Sequence, residues 1–147
     1  MKKIVNTISI NADASKVWKA LTDPQETKKY MFGCETVSDW KKGSTLIWKG
    51  NYEGKEMVFV SGFVLDIKEN ELLKYSVIDP NALYAKTSEN HLNVTYELIS
   101  NEAQTILTVT QDNFENAAEG EKRFKEVGNN GLGWDPILKA IKMQVES

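Results

Sequence analysis

The stretch Gly133–Ser147, which reads GWDPILKAIKMQVES, decides how the strands before it can be packed. Asp135 is a suitable N-cap for a helix, and Pro136 suits the first helical position, where no N–H partner is needed. The apolar residues recur at helical spacing and form one stripe: Trp134, Ile137, Leu138, Ile141 and Val145. Burial of these five side chains would contribute about 8–12 kcal/mol gross, at about 1.5–3 kcal/mol each. A helix this short is marginal alone, so we expect it to dock on another element.

At the start of the chain, the sequence predicts one strand and then two helices, before the pattern becomes purely β. Ile4, Ile8 and Ile10 share one parity, which predicts a strand over residues 3–10. Asp13 is a suitable N-cap for a helix over residues 14–21. Asp23 and Pro24 repeat the start signal for a second helix that ends near residue 30. We therefore expect two short helices after strand 1.

Six further strands are predicted, followed by one short helix before the C-terminal helix. The strands are expected over residues 34–40, 45–52, 56–67, 73–77, 91–99 and 105–113. Phe124 and Val127 lie on the short helix, which Asn116 and Glu119 would cap. A meander of strands followed by a long helix predicts an α+β fold. In this fold a curved antiparallel sheet wraps around the helix, and one domain spans residues 1–147.

The long strand over residues 56–67 determines which side chains face the helix. Gly62 is expected to mark a bulge or bend there, and a single bulge would exchange the two faces. The following loop, residues 79–90, is long enough to form a rim or lid. Its Leu83 and Tyr84 either fold over a cavity mouth or pin the loop to the core. One parity of the strand carries Met57, Phe59, Phe63, Leu65 and Ile67.

Composition argues against several classes of partner. The net charge is −3 and Arg123 is the single arginine, so nucleic acid is not expected as a partner. No apolar run reaches the length of a membrane span, and polar residues interrupt any signal-peptide core. Cys34 and His91 are the single cysteine and histidine, so we expect no disulfide, no metal site and no cofactor. A cytoplasmic protein is the simplest expectation.

Aromatic residues give the strongest functional signal. Many of them fall on the predicted concave parity of the sheet or on the stripe of the last helix, where a small hydrophobic ligand could be held. The same rings could equally fill the core. No residue is predicted to be catalytic. The candidate ligand-binding residues are Trp48, Phe59, Phe63, Tyr75, Tyr84, Tyr96, Trp134, Leu138 and Ile141.

Several motifs resemble those of the family of Hsp90-ATPase-activator homologues (AHSA1-like), within the START-like or SRPBCC superfamily. The matching segments are ISINADASKVWKALTDP at 8–24, MFG at 31–33, SDWKKGS at 38–44, WKG at 48–50, VTYEL at 94–98, LTVTQDN at 107–113 and GW at 133–134. The resemblance covers essentially the whole chain in the family's order. It implies a helix-grip fold, similar to START and Bet v 1 proteins, with a cavity between the sheet and the last helix.

Three functions remain open at this point. The first is binding of a small apolar or aromatic molecule in the implied cavity. The second is catalysis inside it by a cyclase-, dehydratase- or hydrolase-like enzyme. The third is association with an Hsp90-type chaperone through the surface. The sequence leaves both a monomer and a homodimer open, because fold alone does not assign function.

Overall fold

The computed structural model describes residues 2–147. A seven-stranded antiparallel sheet forms the framework of the protein. The strands lie in the order β1-β7-β6-β5-β4-β3-β2, so β1 and β2 form the two edges. Every adjacent pair in this order is antiparallel. Their bounds are β1 Ile4–Ile10, β2 Glu35–Ser38, β3 Thr45–Tyr52, β4 Lys55–Lys68, β5 Leu72–Val77, β6 Leu92–Asn101 and β7 Gln104–Asp112. The predicted α+β class, the antiparallel sheet and the succession of elements along the chain are confirmed.

Two helices follow β1, as predicted. The Asp13 carboxylate accepts a hydrogen bond from the Lys16 N–H at 3.0 Å, and that of Asp23 accepts from the Gln25 N–H at 2.8 Å. Each carboxylate satisfies one of the free N–H groups of a first helical turn. The helices are α1 Ala14–Thr22, α2 Pro24–Tyr30, α3 Gly120–Gly128 and α4 Asp135–Glu146.

The start of α4 differs from the prediction that Asp135 is its N-cap. Trp134 occupies the cap position without a side-chain cap bond, and Asp135 is the first helical residue. The Asp135 carboxylate instead pairs with Lys139 at 2.9 Å, one turn along the helix. A tertiary contact fixes the start of α4, because the Trp134 N–H donates to Asn6 Oδ1 at 2.9 Å. Sequence spacing cannot reveal a partner that lies 128 residues away.

Hydrogen bonds from the β1 region hold both ends of α4. At its start, Asn6 bonds Trp134 as described and also donates to the carbonyl of Leu132 at 3.1 Å. At its end, the Glu146 carboxylate accepts from the Asn11 N–H at 2.7 Å, and this bond lowers the pKa of Glu146. Between these points Leu138 and Ile141 are fully buried. Helix α4 is therefore held at both ends beside β1, on the concave side of the sheet.

Two bulges in β4 change which of its side chains face the core. Trp48 pairs with Val60 and Lys49 pairs with Val58, so Phe59 has no partner on β3. Likewise Val64 pairs with Tyr75 and Asp66 pairs with Lys74, so Leu65 is the extra residue beside β5. Each extra residue shifts the alternation by one position.

The inner face of β4 therefore changes parity twice. Between the bulges the even-numbered residues face inward, and Val64 is fully buried. Phe63, which shared the predicted concave parity, is 45% exposed on the other side. The expectation that Phe63 faces the helix is wrong for this reason.

Gly62 lies between the bulges rather than in one. A Cβ atom at this position would overlap the carbonyl oxygen of Ser76 on β5. The Ser76 hydroxyl also accepts a hydrogen bond from the Phe63 N–H at 3.0 Å. Glycine is thus required at position 62 by the close approach of two strands.

We expect Gly62→Ala to lower the free energy of unfolding by about 3 kcal/mol, because the sheet must open to admit the methyl group. Gly43→Ala is the matched control. Gly43 has a left-handed backbone but open space around its Cβ position, so its loss should be about 1 kcal/mol. Urea denaturation of both variants measures the difference. Equal losses would contradict the close approach of β4 and β5.

Candidate ligand-binding cavity

A cavity of about 380 Å³ lies between the first turn of α4, the segment after α2 and the inner face of the sheet. Its volume falls within the range of about 300–1,000 Å³ that is typical of small-molecule sites. The walls are mostly aromatic and aliphatic. The lining residues are Met31, Phe32, Cys34, Trp48, Phe59, Val60, Tyr75, Val77, Val94, Gln111, Trp134 and Ile137.

Four aromatic rings run in a chain through this part of the molecule. The centroids of Trp48 and Tyr75 are 6.3 Å apart, and those of Tyr75 and Tyr96 are 5.6 Å apart. Tyr96 then meets Trp134 almost perpendicularly, at 6.0 Å and 81°. Such pairs contribute about 0.5–1.5 kcal/mol each beyond their buried area. The chain forms a rigid aromatic wall that links β3 to α4.

The two tyrosine hydroxyl groups in this wall bond to each other. Tyr75 Oη and Tyr96 Oη are 2.8 Å apart, and both side chains are buried. Burial raises the pKa of both phenols well above the ordinary value. Both phenols are therefore neutral at physiological pH. A neutral phenol cannot act as a general base, because proton abstraction needs the phenolate form.

Gln111 is a polar residue on the inner face of β7. Its Oε1 accepts a hydrogen bond from the indole N–H of Trp134 at 2.8 Å, and the residue is 6% exposed. It pairs with Val94 of β6, which also lines the cavity. This bond joins the first turn of α4 to the sheet.

Cys34 contributes a neutral thiol to the cavity wall. The side chain is buried just before β2, and burial raises the pKa of its thiol. A thiol in this state is a weak nucleophile at neutral pH, because the thiolate is the reactive form. The prediction of a small buried or half-buried cysteine fits this position.

Phe32 stands at the cavity mouth in an unusual backbone conformation. Its φ of 53° is left-handed, and Gly33 follows with a φ of 81°. This turn after α2 leaves the Phe32 ring 88% exposed while it still borders the cavity. An aromatic side chain is thus held at the entrance rather than in the core.

The structure brings four of the nine candidate binding residues together in the cavity: Trp48, Phe59, Tyr75 and Trp134. Tyr96, Leu138 and Ile141 are fully buried and do not line the cavity. Phe59 lines it because it is the bulge residue of β4, beside Val60. The remaining two candidates, Phe63 and Tyr84, lie outside the cavity for different reasons.

Phe63 is on the outer face of the sheet, with its ring centroid 6.2 Å from that of His91. Tyr84 lines a neighbouring surface depression of about 710 Å³ between the 79–90 loop and α3, which shares Val60 and Val77 with the cavity. The Arg123 guanidinium lies 4.9 Å from the Tyr84 ring centroid and donates to the Asn90 carbonyl at 2.8 Å. These contacts pin the loop to α3. Leu83 lines the same depression, and its side chain is fully exposed.

Sequence reasoning missed eight of the residues that line the cavity. The sequence pattern nevertheless places two of them, Gln111 and Ile137, on inward faces. Gln111 shares the parity of Thr105, Leu107 and Val109, so it is a polar residue on a buried face. Ile137 follows Trp134 by three positions on the α4 stripe. The other missed residues are Met31, Phe32, Cys34, Val60, Val77 and Val94.

The cavity offers apolar contact rather than charge. None of the described lining residues is Asp, Glu, His, Lys or Arg. Across residues 2–147, no group of three or more potential metal ligands comes together. No helix within the same residues is long and apolar enough to cross a membrane.

The curved sheet around α4, with a cavity at its first turn, defines a START-like helix-grip fold. The family model described as activator of Hsp90 ATPase homolog 1-like protein matches residues 11–146. The chain belongs to this family, and the resemblance noted from its motifs is confirmed. The search of curated proteins gave no match.

Solved structures agree with this fold. A protein from Cytophaga hutchinsonii, determined in solution, is 35% identical over 99% of this chain and 94% of its own, with a TM-score of 0.77. The Aha1 dimer from Colwellia psychrerythraea is 20% identical over 99% and 97%, with a TM-score of 0.70. CalU16 from Micromonospora echinospora is 19% identical over 97% and 75%, with a TM-score of 0.67. The last two show a shared fold alone.

We expect iodoacetamide to modify Cys34 more slowly in the folded protein than in the same protein unfolded in urea. The rate should keep rising with pH beyond the ordinary range of a free thiol, because burial raises the pKa of Cys34. Mass spectrometry of time points from pH 7 to 10 measures this rate, with Cys34→Ser as the control for lysine labelling. Fast labelling that levels off near neutral pH would contradict a neutral, buried thiol.

Proposed function

We propose that this protein binds one small apolar or aromatic molecule in the cavity at the first turn of α4. The observation that carries the proposal is a cavity of about 380 Å³ with mostly apolar walls and no charged residue in its described lining. Removing apolar ligand surface from water supplies the main driving force, at about 25 cal/mol per Å². The rings of the aromatic wall hold one another through their own contacts and the Tyr75–Tyr96 hydrogen bond, so little ordering is needed on binding.

Binding is better supported than catalysis. General acid–base catalysis needs a group that titrates near the working pH, usually a histidine or carboxylate in contact with the substrate. His91, the single histidine, lies on the Phe63 side of the sheet rather than in the cavity. The titratable groups in the lining are the Cys34 thiol and the Tyr75 phenol, and burial favours the neutral form of both.

Association with an Hsp90-type chaperone is a second candidate function. It rests on the family, whose description names a homologue of an activator of the Hsp90 ATPase. A surface interaction of this kind and a ligand cavity are compatible in one protein. The Colwellia neighbour is a dimer, so a homodimer is one arrangement in which this chain could act.

We expect the purified protein to bind tetralin, a compact bicyclic hydrocarbon, with one molecule per chain. Titration calorimetry measures the affinity, and native mass spectrometry reads the stoichiometry and distinguishes monomer from homodimer. Ile137→Trp should weaken binding about tenfold or more, because the larger ring occupies space that the ligand needs. Met143→Trp adds the same ring to the exposed side of α4 and should leave binding unchanged.

The proposal would be overturned if neither tetralin nor its ketone analogue 1-tetralone binds to the folded wild-type protein. Equal affinities in both tryptophan variants would place the ligand outside the cavity, which also contradicts it. Melting curves of each variant show whether a loss of binding reflects unfolding instead.

For the second candidate, we expect saturating amounts of this protein to raise the ATPase rate of a bacterial-type Hsp90. A coupled assay of ADP release measures the rate, with an Hsp90 inhibitor to subtract background hydrolysis. Heat-unfolded protein at the same concentration is the control. An unchanged rate at saturation would remove this candidate without affecting the cavity proposal.

A further inference from the structure

The orientation of the Gln111 side-chain amide is fixed by its partner. An indole N–H can only donate a hydrogen bond, so the atom that Trp134 Nε1 contacts at 2.8 Å must be the amide oxygen. The amide nitrogen, Nε2, therefore points away from the indole N–H. This settles the usual ambiguity between the oxygen and nitrogen of a glutamine side chain.

Gln111 Nε2 has no hydrogen-bond acceptor among residues 2–147, although the residue is more than nine-tenths buried. Within the same residues, no side-chain nitrogen or oxygen is both sealed from solvent and unpartnered. Some surface of Nε2 is therefore accessible. Gln111 also lines the cavity, which offers this donor a space where an acceptor atom of a ligand could lie.

We propose that Gln111 Nε2 is the polar anchor of the cavity and donates a hydrogen bond to an acceptor atom on the ligand. This inference rests on the proposed binding function and specifies it further. The ligand class is a small, mostly apolar molecule with one neutral acceptor, such as a ketone or ether oxygen. A few placed polar groups in an apolar pocket commonly fix the orientation of a ligand.

The lining argues for a neutral acceptor rather than an anion. A carboxylate or phosphate would lose its hydration on entering the cavity, and no lysine or arginine of the described lining would compensate. Around the anchor the walls are apolar: Val94 is its neighbour on β6, and Ile137 lines the cavity from α4. The remainder of the ligand therefore contacts hydrocarbon.

The test compares two probes of the same bicyclic shape, tetralin and 1-tetralone, which differ by one carbonyl acceptor. Calorimetry gives the ratio of their affinities for the wild type and for Gln111→Met, which keeps the side-chain length and removes the amide. The ratio of ketone to hydrocarbon affinity should fall about three- to tenfold in the variant, the usual value of one hydrogen bond. Taking this ratio cancels the different hydration of the probes.

Gln111→Met also leaves the indole N–H of Trp134 without an acceptor and could destabilise the fold. The comparison is therefore repeated in a Trp134→Phe background, in which no indole donor remains. Trp134→Phe/Gln111→Met should show the same fall in the ratio relative to Trp134→Phe alone. A purely structural role of Gln111 would change both affinities together and leave the ratio unaltered.

The outcomes of this test distinguish a failure of the Gln111 anchor from a failure of the binding function on which it rests. If both probes bind and the ratio is the same with and without Gln111, the anchor is overturned and the binding function stands. If neither probe binds the folded wild type, the binding function fails and the anchor fails with it. A ratio that falls in both backgrounds supports the anchor.

Discussion

Trp134 is held from two sides, and this double attachment fixes where α4 begins. Asn6 accepts the backbone N–H of Trp134 and Gln111 accepts its indole N–H, at 2.9 and 2.8 Å. The two acceptors are on β1 and β7, which are paired neighbours in the sheet. The first turn of α4 is therefore set at a defined position over the sheet. The buried residues Leu138 and Ile141 fill the core beyond it, while the space beside Trp134 and Ile137 stays open as the cavity.

Strand β4 supplies the opposite wall by departing from regular alternation. Its bulge at Phe59 brings that ring and Val60 to the cavity together. Its second bulge at Leu65 restores the original parity, so that Ile67 pairs with the buried Leu73. Bulges also increase the local bend of a sheet, which suits a strand that must curve around a helix. One irregular strand thus serves both the curvature and the cavity.

The chemical character of the cavity limits what the protein can do with a ligand. Its lining combines apolar surface with neutral hydroxyl, thiol and amide groups. Such a site can select by shape and by one hydrogen bond, and it favours neutral molecules over ions.

The sequence by itself determined the elements and their order, since apolar periodicity and the caps at Asp13 and Asp23 are local signals. It also indicated that Trp48, Tyr75 and Trp134 face the interior. Only the tertiary structure decided that Phe63 faces outward, that Tyr84 is pinned to α3, and that Gln111 orients its amide against Trp134. These outcomes depend on bulges and on contacts between residues far apart in the chain. A bulge inverts side-chain parity with little trace in the sequence, and a hydrogen bond across 23 residues leaves none in local spacing.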